Sequence, residues 1–477
     1  YSDAPVGIDA DQLDRRGFLE RLESVLDKLQ ATNDSTVTGL VGPWGSGKTS
    51  LLDQLQERLD SSNGTPSQWT VVRFNPWHYQ DLQSLHLGFF EELRTELPKG
   101  KKWDDVRRRV SALGKKVAPL GALAGLPGVD VTSVVKMMAD GIDVGLSVEK
   151  QQKKLSAALA KTGKRILVVV DDVDRLDPAE LLLLLKLIRL TGRIPDIHYL
   201  LAYDEETLLD VLSRTGLVGE SPRRAVDYME KMIQVRLDVP PVRPTTLRKW
   251  FNESLGRLLD DHRIDFGHEG MPRFSEAYFA HIERGLRTPR SIKRYLAQVD
   301  ASISGLEREV DLSDFLILSW IRMTEPLLFV ELPKNRSRLL GDSPGWADAL
   351  PASQQRKETR KYWADVMDRA QVAPENQQGL ASLLGQLFPR FRHEWSNETG
   401  FPRNTELPAP RVGNRDYFDR YFALSIPEED ISDQVACAAF EQIAKGEPGE
   451  EQKTVEDLLP ERAELVLGKL SAWIDGE

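Results

Sequence analysis

A single cysteine, Cys437, stands among 477 residues. One thiol cannot close an internal disulfide or build a zinc ribbon, so a reducing, cytoplasmic setting is expected. Long apolar runs are missing as well. The nearest candidate, Val117–Val129, is broken by Pro119 and Pro127 and falls short of the roughly 20 residues that a membrane-spanning helix needs. A soluble chain with no spanning segment is therefore expected, and peripheral contact with a membrane stays open. The histidines (His78, His86, His198, His262, His268, His281 and His393) are scattered. None falls in an H-E-x-x-H spacing, and they read as surface or packed residues. Neither an internal repeat nor a signal peptide is visible, and because the chain opens at a tyrosine an earlier natural start stays open.

The composition that remains is ordinary for a globular chain, 40% apolar and 29% charged, and the length suits two or three domains. The net charge of −11 is unevenly placed. Ile426–Glu477 holds 14 acidic and 4 basic residues, a tail that reads as solvated helical surface and would favour a basic partner. Lys99–Lys116 has the opposite bias, with eight basic and two acidic residues. A solvated helix, a nucleic-acid contact and a contact with anionic lipid all remain open for it. Trp103 is its only aromatic residue, which leaves little of a base-stacking platform.

Five short runs rich in branched residues punctuate the first half: Val37–Val41, Thr70–Phe74, Ile166–Val170, Tyr199–Ala202 and Ile233–Leu237. Helical periodicity fills the gaps, the pattern of a parallel sheet covered on both faces. A proline cluster, Pro240, Pro241 and Pro244, ends the last run, and the rest is almost wholly helical. The expected fold is α/β, a P-loop NTPase parallel sheet followed by a mostly α-helical C-terminal region. We divide it into a core at 1–240 with a helical insertion at about 99–154, a lid-like helical domain at 241–310, and a helical domain at 311–477 that carries the acidic tail.

Gly42-Pro-Trp-Gly-Ser-Gly-Lys-Thr49 fits G-x-x-x-x-G-K-[ST], with a strand pattern before it and an amphipathic helix after it. Phosphate oxygens need several backbone amides converging on them, and glycine lets the chain come that close. Gly42, Gly45, Ser46, Gly47, Lys48, Thr49 and Ser50 are thus candidate nucleotide contacts, with Lys48 on the β- and γ-phosphates and Thr49 on Mg²⁺. The apolar run Ile166–Val170 ends in Asp171 and Asp172. Asp171 takes the magnesium position, and Asp172 is the candidate base for the attacking water, although shorter than the glutamate many such enzymes use. A turn with a local ion pair is the alternative for Asp172, Asp174 and Arg175. Asp204 suits a γ-phosphate sensor and a helix N-cap equally well.

With these segments in view, the chain resembles the KAP family of P-loop NTPases. The resemblance rests on "GPWGSGKTSLL", "RFNPWHYQ", "VVVDDVDRLDP" and "LLAYDEETL", in that order, with "YSDAPVGIDADQLDRRGFLERL" before them and "RTPRSIKRYL" after. It covers about residues 1–300. The order of the runs, with Tyr199–Ala202 after the aspartates, points to the additional-strand ATPase branch, and the two motifs to ATP and Mg²⁺ as ligands. The resemblance implies a homo-oligomeric or switch-like ATPase and, in bacteria, a link to anti-phage defence complexes. Membrane-bound members carry spanning helices between the two motifs, where this chain has an insertion without such a run. Arg290, with Arg287 and Lys293, is the candidate phosphate contact from the helical region, and a normal capped helix start is its alternative. Arg175 as an arginine finger toward a neighbouring subunit is a further one. The leading function is an Mg²⁺-dependent ATPase whose nucleotide state drives assembly or conformational change. A slow nucleotide-gated scaffold, a P-loop kinase and a DNA-stimulated motor are the alternatives, and the helical C-terminal half is the expected surface for a protein partner.

Overall fold

The computed structural model describes residues 13, 15–30, 34–60, 68–124, 142–216, 218, 222–341, 352–395 and 407–476. Most of the opening segment and the whole of the apolar run Val117–Val129 thus lie outside the residues whose side chains are described. The chain divides between Val242 and Arg243 into two compact units.

The first unit is built on five parallel strands: β1 (Val37–Val41), β2 (Trp69–Phe74), β3 (Arg165–Val170), β4 (Ile197–Tyr203) and β5 (Val235–Asp238), ordered β2-β3-β4-β1-β5. β4 lies between β3 and β1, pairing Val168 with Tyr199 on one side and Val37 with Tyr199 on the other. This is the additional-strand arrangement expected from the sequence. β1 and β4 are buried along their whole length, as an unbroken apolar run covered on both faces requires. β5 sits at the edge and alternates instead, with Arg236 and Asp238 exposed. It begins two residues later than the apolar run predicted, because Ile233 packs as a partly buried residue against the core below the sheet.

Alternate side chains of each strand feed two cores. Leu40, Leu167, Val169, Leu200 and Ala202 pack against α1 (Arg16–Gln30) and α2 (Lys48–Asp60) through Phe18, Leu22, Leu51 and Leu55. Val37, Val41, Val168, Val170, Tyr199 and Leu201 pack on the other face against a larger helical layer. That layer contains α3 (Leu82–Thr95), α4 (Lys101–Ala124), α5 (Ile142–Ala160) and α6 (Pro178–Thr191). Asp81 and Asp177 start α3 and α6 with reciprocal capping boxes, each of which satisfies otherwise orphaned amides. The described parts of the insertion therefore fold onto the domain. Trp103, Val106, Val110 and Leu113 of α4 are buried with Leu155 and Leu159 of α5.

The second unit is helical. Phe251, Phe274, Tyr278 and Tyr295 stack in its core, and Trp320 meets Tyr295 edge-on. Thr288 caps the helix Pro289–Ile303 through a capping box with Ser291.

Candidate functional site

Parallel strands all end at the same edge, so four loops converge there. Gly42 follows β1, Asn75 follows β2, Asp171 follows β3 and Asp204 follows β4. The P-loop turns through left-handed backbone at Gly45 (φ 77°) and Gly47 (φ 85°), which a side chain would strain. A Cβ on Gly42 would lie 2.8 Å from Ser46 Oγ and 3.0 Å from Val239 Cβ, so the loop leaves no room for one. The first-turn amides of α2 have no intrahelical acceptor and carry the positive end of its dipole, which suits an anion. The Ser46 hydroxyl is buried with no hydrogen-bond partner among the described residues. Backbone shape, helix terminus and orphaned hydroxyl together fit a phosphate chain.

Lys48 is buried, and its Nζ donates to the carbonyls of Gly42 at 2.8 Å and Pro43 at 3.4 Å. Burial pulls its pKa below the ordinary lysine value, against the opposing influence of Asp174, Asp204, Asp171 and Asp172. Thr49 Oγ1 donates to Asp171 Oδ2 at 2.7 Å, joining the P-loop to the end of β3. Burial raises the Asp171 pKa, partly offset by that hydrogen bond. Asp174 is also buried and raised for the same reason, with Lys48 pulling the other way. The site is thus an acid-rich floor around one lysine. No group of three or more histidine, cysteine or acidic residues that could hold a metal occurs among the described residues. One carboxylate beside one hydroxyl fits Mg²⁺, which takes few protein ligands and completes its shell with water and phosphate oxygens.

Asp204 N-caps the helix Glu205–Ser213 through Oδ1 to the Thr207 amide. Its Oδ2 accepts from the Trp44 amide at 2.9 Å, so the cap also fixes the P-loop. Asp172 and Arg175 form the local ion pair, 2.9 Å between Oδ1 and Nε. Ser50 lies in the first turn of α2. Arg287, Arg290 and Lys293 belong to the second unit, with Arg287 exposed and the other two half-buried at the start of Pro289–Ile303.

Two residues that the sequence reading assigned no role belong to the site. Asn75 donates from Nδ2 to Asp172 Oδ2 at 3.1 Å and accepts the Trp77 amide on Oδ1 at 3.0 Å. The buried Arg15 guanidinium lies against the P-loop, its Nη1 2.8 Å from where a Cβ on Gly47 would stand. Asn75 lies within "RFNPWHYQ", so that segment marked the position without revealing its contact. The basic helix α4 turns Lys101, Lys102, Arg108, Lys115 and Lys116 outward, whereas Trp103 is 7% exposed and packs in the core. Among the described residues no helix is long and apolar enough to cross a membrane.

Among solved structures the chain is similar to the Aeropyrum pernix ORC1 protein in complex with DNA, at 16% identity and TM-score 0.34, covering 78% of this chain and 84% of that one. It is also similar to Cdc6p from Pyrobaculum aerophilum, at 13% identity and TM-score 0.35, covering 82% and 89%. Neither likeness bears on the chemistry. Among curated proteins it is 25% identical over 345 residues to the phage T7 exclusion protein of Escherichia coli (strain K12), covering 66% of this chain and 45% of that protein. It is 26% identical over 242 residues to pleiotropic drug resistance protein 2 of Nicotiana plumbaginifolia, covering 44% and 16%. The chain spans less than half the length of either relative. The model of the KAP family P-loop domain matches residues 15–304, well over half the chain and the whole of the site described above, and the protein belongs to that family.

Proposed function

We propose that this chain is an Mg²⁺-dependent ATPase whose nucleotide state switches its conformation or assembly in a bacterial anti-phage defence system. The observation that carries the reading is the Thr49–Asp171 hydrogen bond. It brings together the hydroxyl and the carboxylate that a magnesium nucleotide needs, one residue from the phosphate-binding Lys48. Mg²⁺, held by Thr49 and through Asp171, would neutralise charge between the β- and γ-phosphates. The chain's own groups do the rest. The P-loop amides and Lys48 orient the phosphates, and Lys48 leaves its two carbonyl acceptors to do so. Asp172, next to the magnesium carboxylate, polarises the attacking water. The defence role draws on the similarity to a phage exclusion protein, and self-assembly and a protein partner are part of the same proposal.

ATP hydrolysis by the purified chain tests it, with Lys48→Ala alongside. We expect phosphate release that depends on Mg²⁺ and falls at least about 100-fold in the variant, the scale of losing one preorganised charge in a transition state. Wild-type turnover in Lys48→Ala would exclude the reading.

A second reading, stimulation by duplex DNA, is favoured by the spacing of the basic residues on α4. Lys101/Lys102, Arg108/Arg109 and Lys115/Lys116 recur at intervals of seven, which lays them along one side of the helix. With Trp103 buried, this face offers charge without stacking, which suits a phosphate backbone better than unpaired bases. Fluorescence anisotropy with a labelled duplex should show binding that weakens steeply with salt and is lost in Lys115→Glu/Lys116→Glu. Binding that is absent, or indifferent to that change, removes this reading and leaves the first intact.

A further inference from the structure

Asp172 is gripped from two sides. Asn75 Nδ2 holds one carboxylate oxygen at 3.1 Å, and Arg175 Nε lies 2.9 Å from the other. Its backbone is left-handed, φ 56° and ψ 32°, a conformation uncommon outside glycine and one that aspartate tolerates better than most residues. The grip continues outward. The Arg175 guanidinium lies 5.5 Å from the ring centroid of Trp44 and 5.9 Å from that of Trp77. Trp44 belongs to the P-loop, and Trp77 sits in the turn that Asn75 caps. The contacts therefore close a circuit from the P-loop through Trp44, Arg175, Asp172 and Asn75 to Trp77 and back to Arg175.

Two features separate this circuit from an ordinary structural tie. Trp44 and Trp77 remain 59% and 54% exposed, large apolar surfaces that a purely structural role would bury. The Arg175 side chain is itself 31% exposed, so it can swing into water without leaving a buried charge behind. Its ion pair and its cation–π contacts are of the weak, solvent-screened kind. A hold of that strength keeps a released form at roughly 1–10% of the population. Meanwhile a carboxylate that must orient water has both oxygens committed to protein donors, and their geometry fixes its plane.

We propose that Arg175 is a positioning residue that brakes Asp172, with Asn75 as the second point of the grip and the two indoles as the clasp that keeps Arg175 in place. Turnover requires Arg175 to leave Asp172, and anything that displaces Trp44 or Trp77 releases it. The inference rests on the ATPase reading above and specifies how that site is regulated.

The test is steady-state ATP hydrolysis together with equilibrium binding of a fluorescent ATP analogue, on the full chain. Arg175→Ala should raise kcat about 10-fold with KM changed less than about two-fold, because the nucleotide contacts are untouched. Arg175→Lys, which keeps the charge on a different geometry, should restore part of the brake. Trp77→Ala, an exposed position safe for folding, should raise kcat by about two- to five-fold. Asp172→Asn in the Arg175→Ala background should abolish the gain, and the rise in kcat of Arg175→Ala is itself the readout that a merely structural role for Arg175 would not give. If Arg175→Ala binds the analogue but its kcat is unchanged or reduced, the brake is wrong. If wild type and Arg175→Ala both bind and neither hydrolyses, the brake is again wrong while nucleotide binding stands. If neither binds, the nucleotide reading itself has failed.

Discussion

Two clusters of charge, one in each unit, are built on opposite plans. At the end of the sheet, Asp171, Asp172, Asp174 and Asp204 surround Lys48, whose ammonium is turned onto two backbone carbonyls. In the helical unit, Arg420 is fully buried, and every direction of its guanidinium is taken. It donates to Glu309 Oε2 at 2.8 Å, to the Glu309 and Ile431 carbonyls at 3.1 and 2.7 Å, and to Asp430. Glu309 also accepts from Ser432 Oγ and from the amides of Asp433 and Gln434, at the start of the helix Asp433–Lys445, where negative charge suits the dipole. Asp314 is saturated in the same way by Arg273, Arg411 and the Val412 amide. A saturated cluster serves folding. One with an excess of acid, a lysine held only by carbonyls and an orphaned serine hydroxyl is arranged for ligands that bring their own charges.

The largest expected effect breaks the saturated cluster. Arg420→Ala strands Glu309 in the core and should cost about 3–5 kcal/mol of unfolding free energy, read from urea or thermal denaturation. Lys48→Ala should do the reverse. Its basal stability should stay within about 1 kcal/mol of wild type, while the roughly 2.7 kcal/mol that Mg²⁺-ATP at a hundredfold excess over Kd confers on the wild type disappears. Comparable destabilisation in the two variants would erase the contrast. The smallest effect sharpens it. The raised pKa of Asp171 means that the folded protein binds its proton more readily than the unfolded chain does. Its contribution to stability is therefore most favourable in acid and falls as pH rises from about 4 through the folded value. Asp171→Asn should melt a few degrees higher than wild type at pH 7, with the difference shrinking as the pH is lowered toward 4, and Mg²⁺-ATP should add little to it. A lower melting temperature at neutral pH would mean that Asp171 is structural.

The sheet was legible because each of its signals is local. β1, the glycine loop and α2 are contiguous, and β3 announces itself as an apolar run closed by two aspartates. The order of the runs added the strand inserted between β3 and β1, because Tyr199–Ala202 follows the aspartates. Contacts between distant segments were not legible. Asn75 and Asp172 are 97 positions apart and meet only because β2 pairs with β3. Arg175 could be read as a local ion-pair partner or as a finger for a neighbour, but nothing in the order of residues places it between Trp44 and Trp77. The helical unit was harder still. Arg420 and Glu309 look like ordinary surface charges in a sequence that is 29% charged, and only tertiary packing reveals that they are core residues.

The short strand β5 borders the sheet on one side. Its outward Arg236 pairs with the neighbouring Asp238 and with Glu205, and at the opposite edge Arg73 of β2 pairs with Asp53 and Gln56. Charged side chains on border strands oppose the docking of another strand alongside. The sheet is therefore closed to growth by backbone pairing. Under the proposed self-assembly, copies of this chain would meet through side-chain surfaces, which can part again when the nucleotide changes, rather than through a shared ladder that would hold them together.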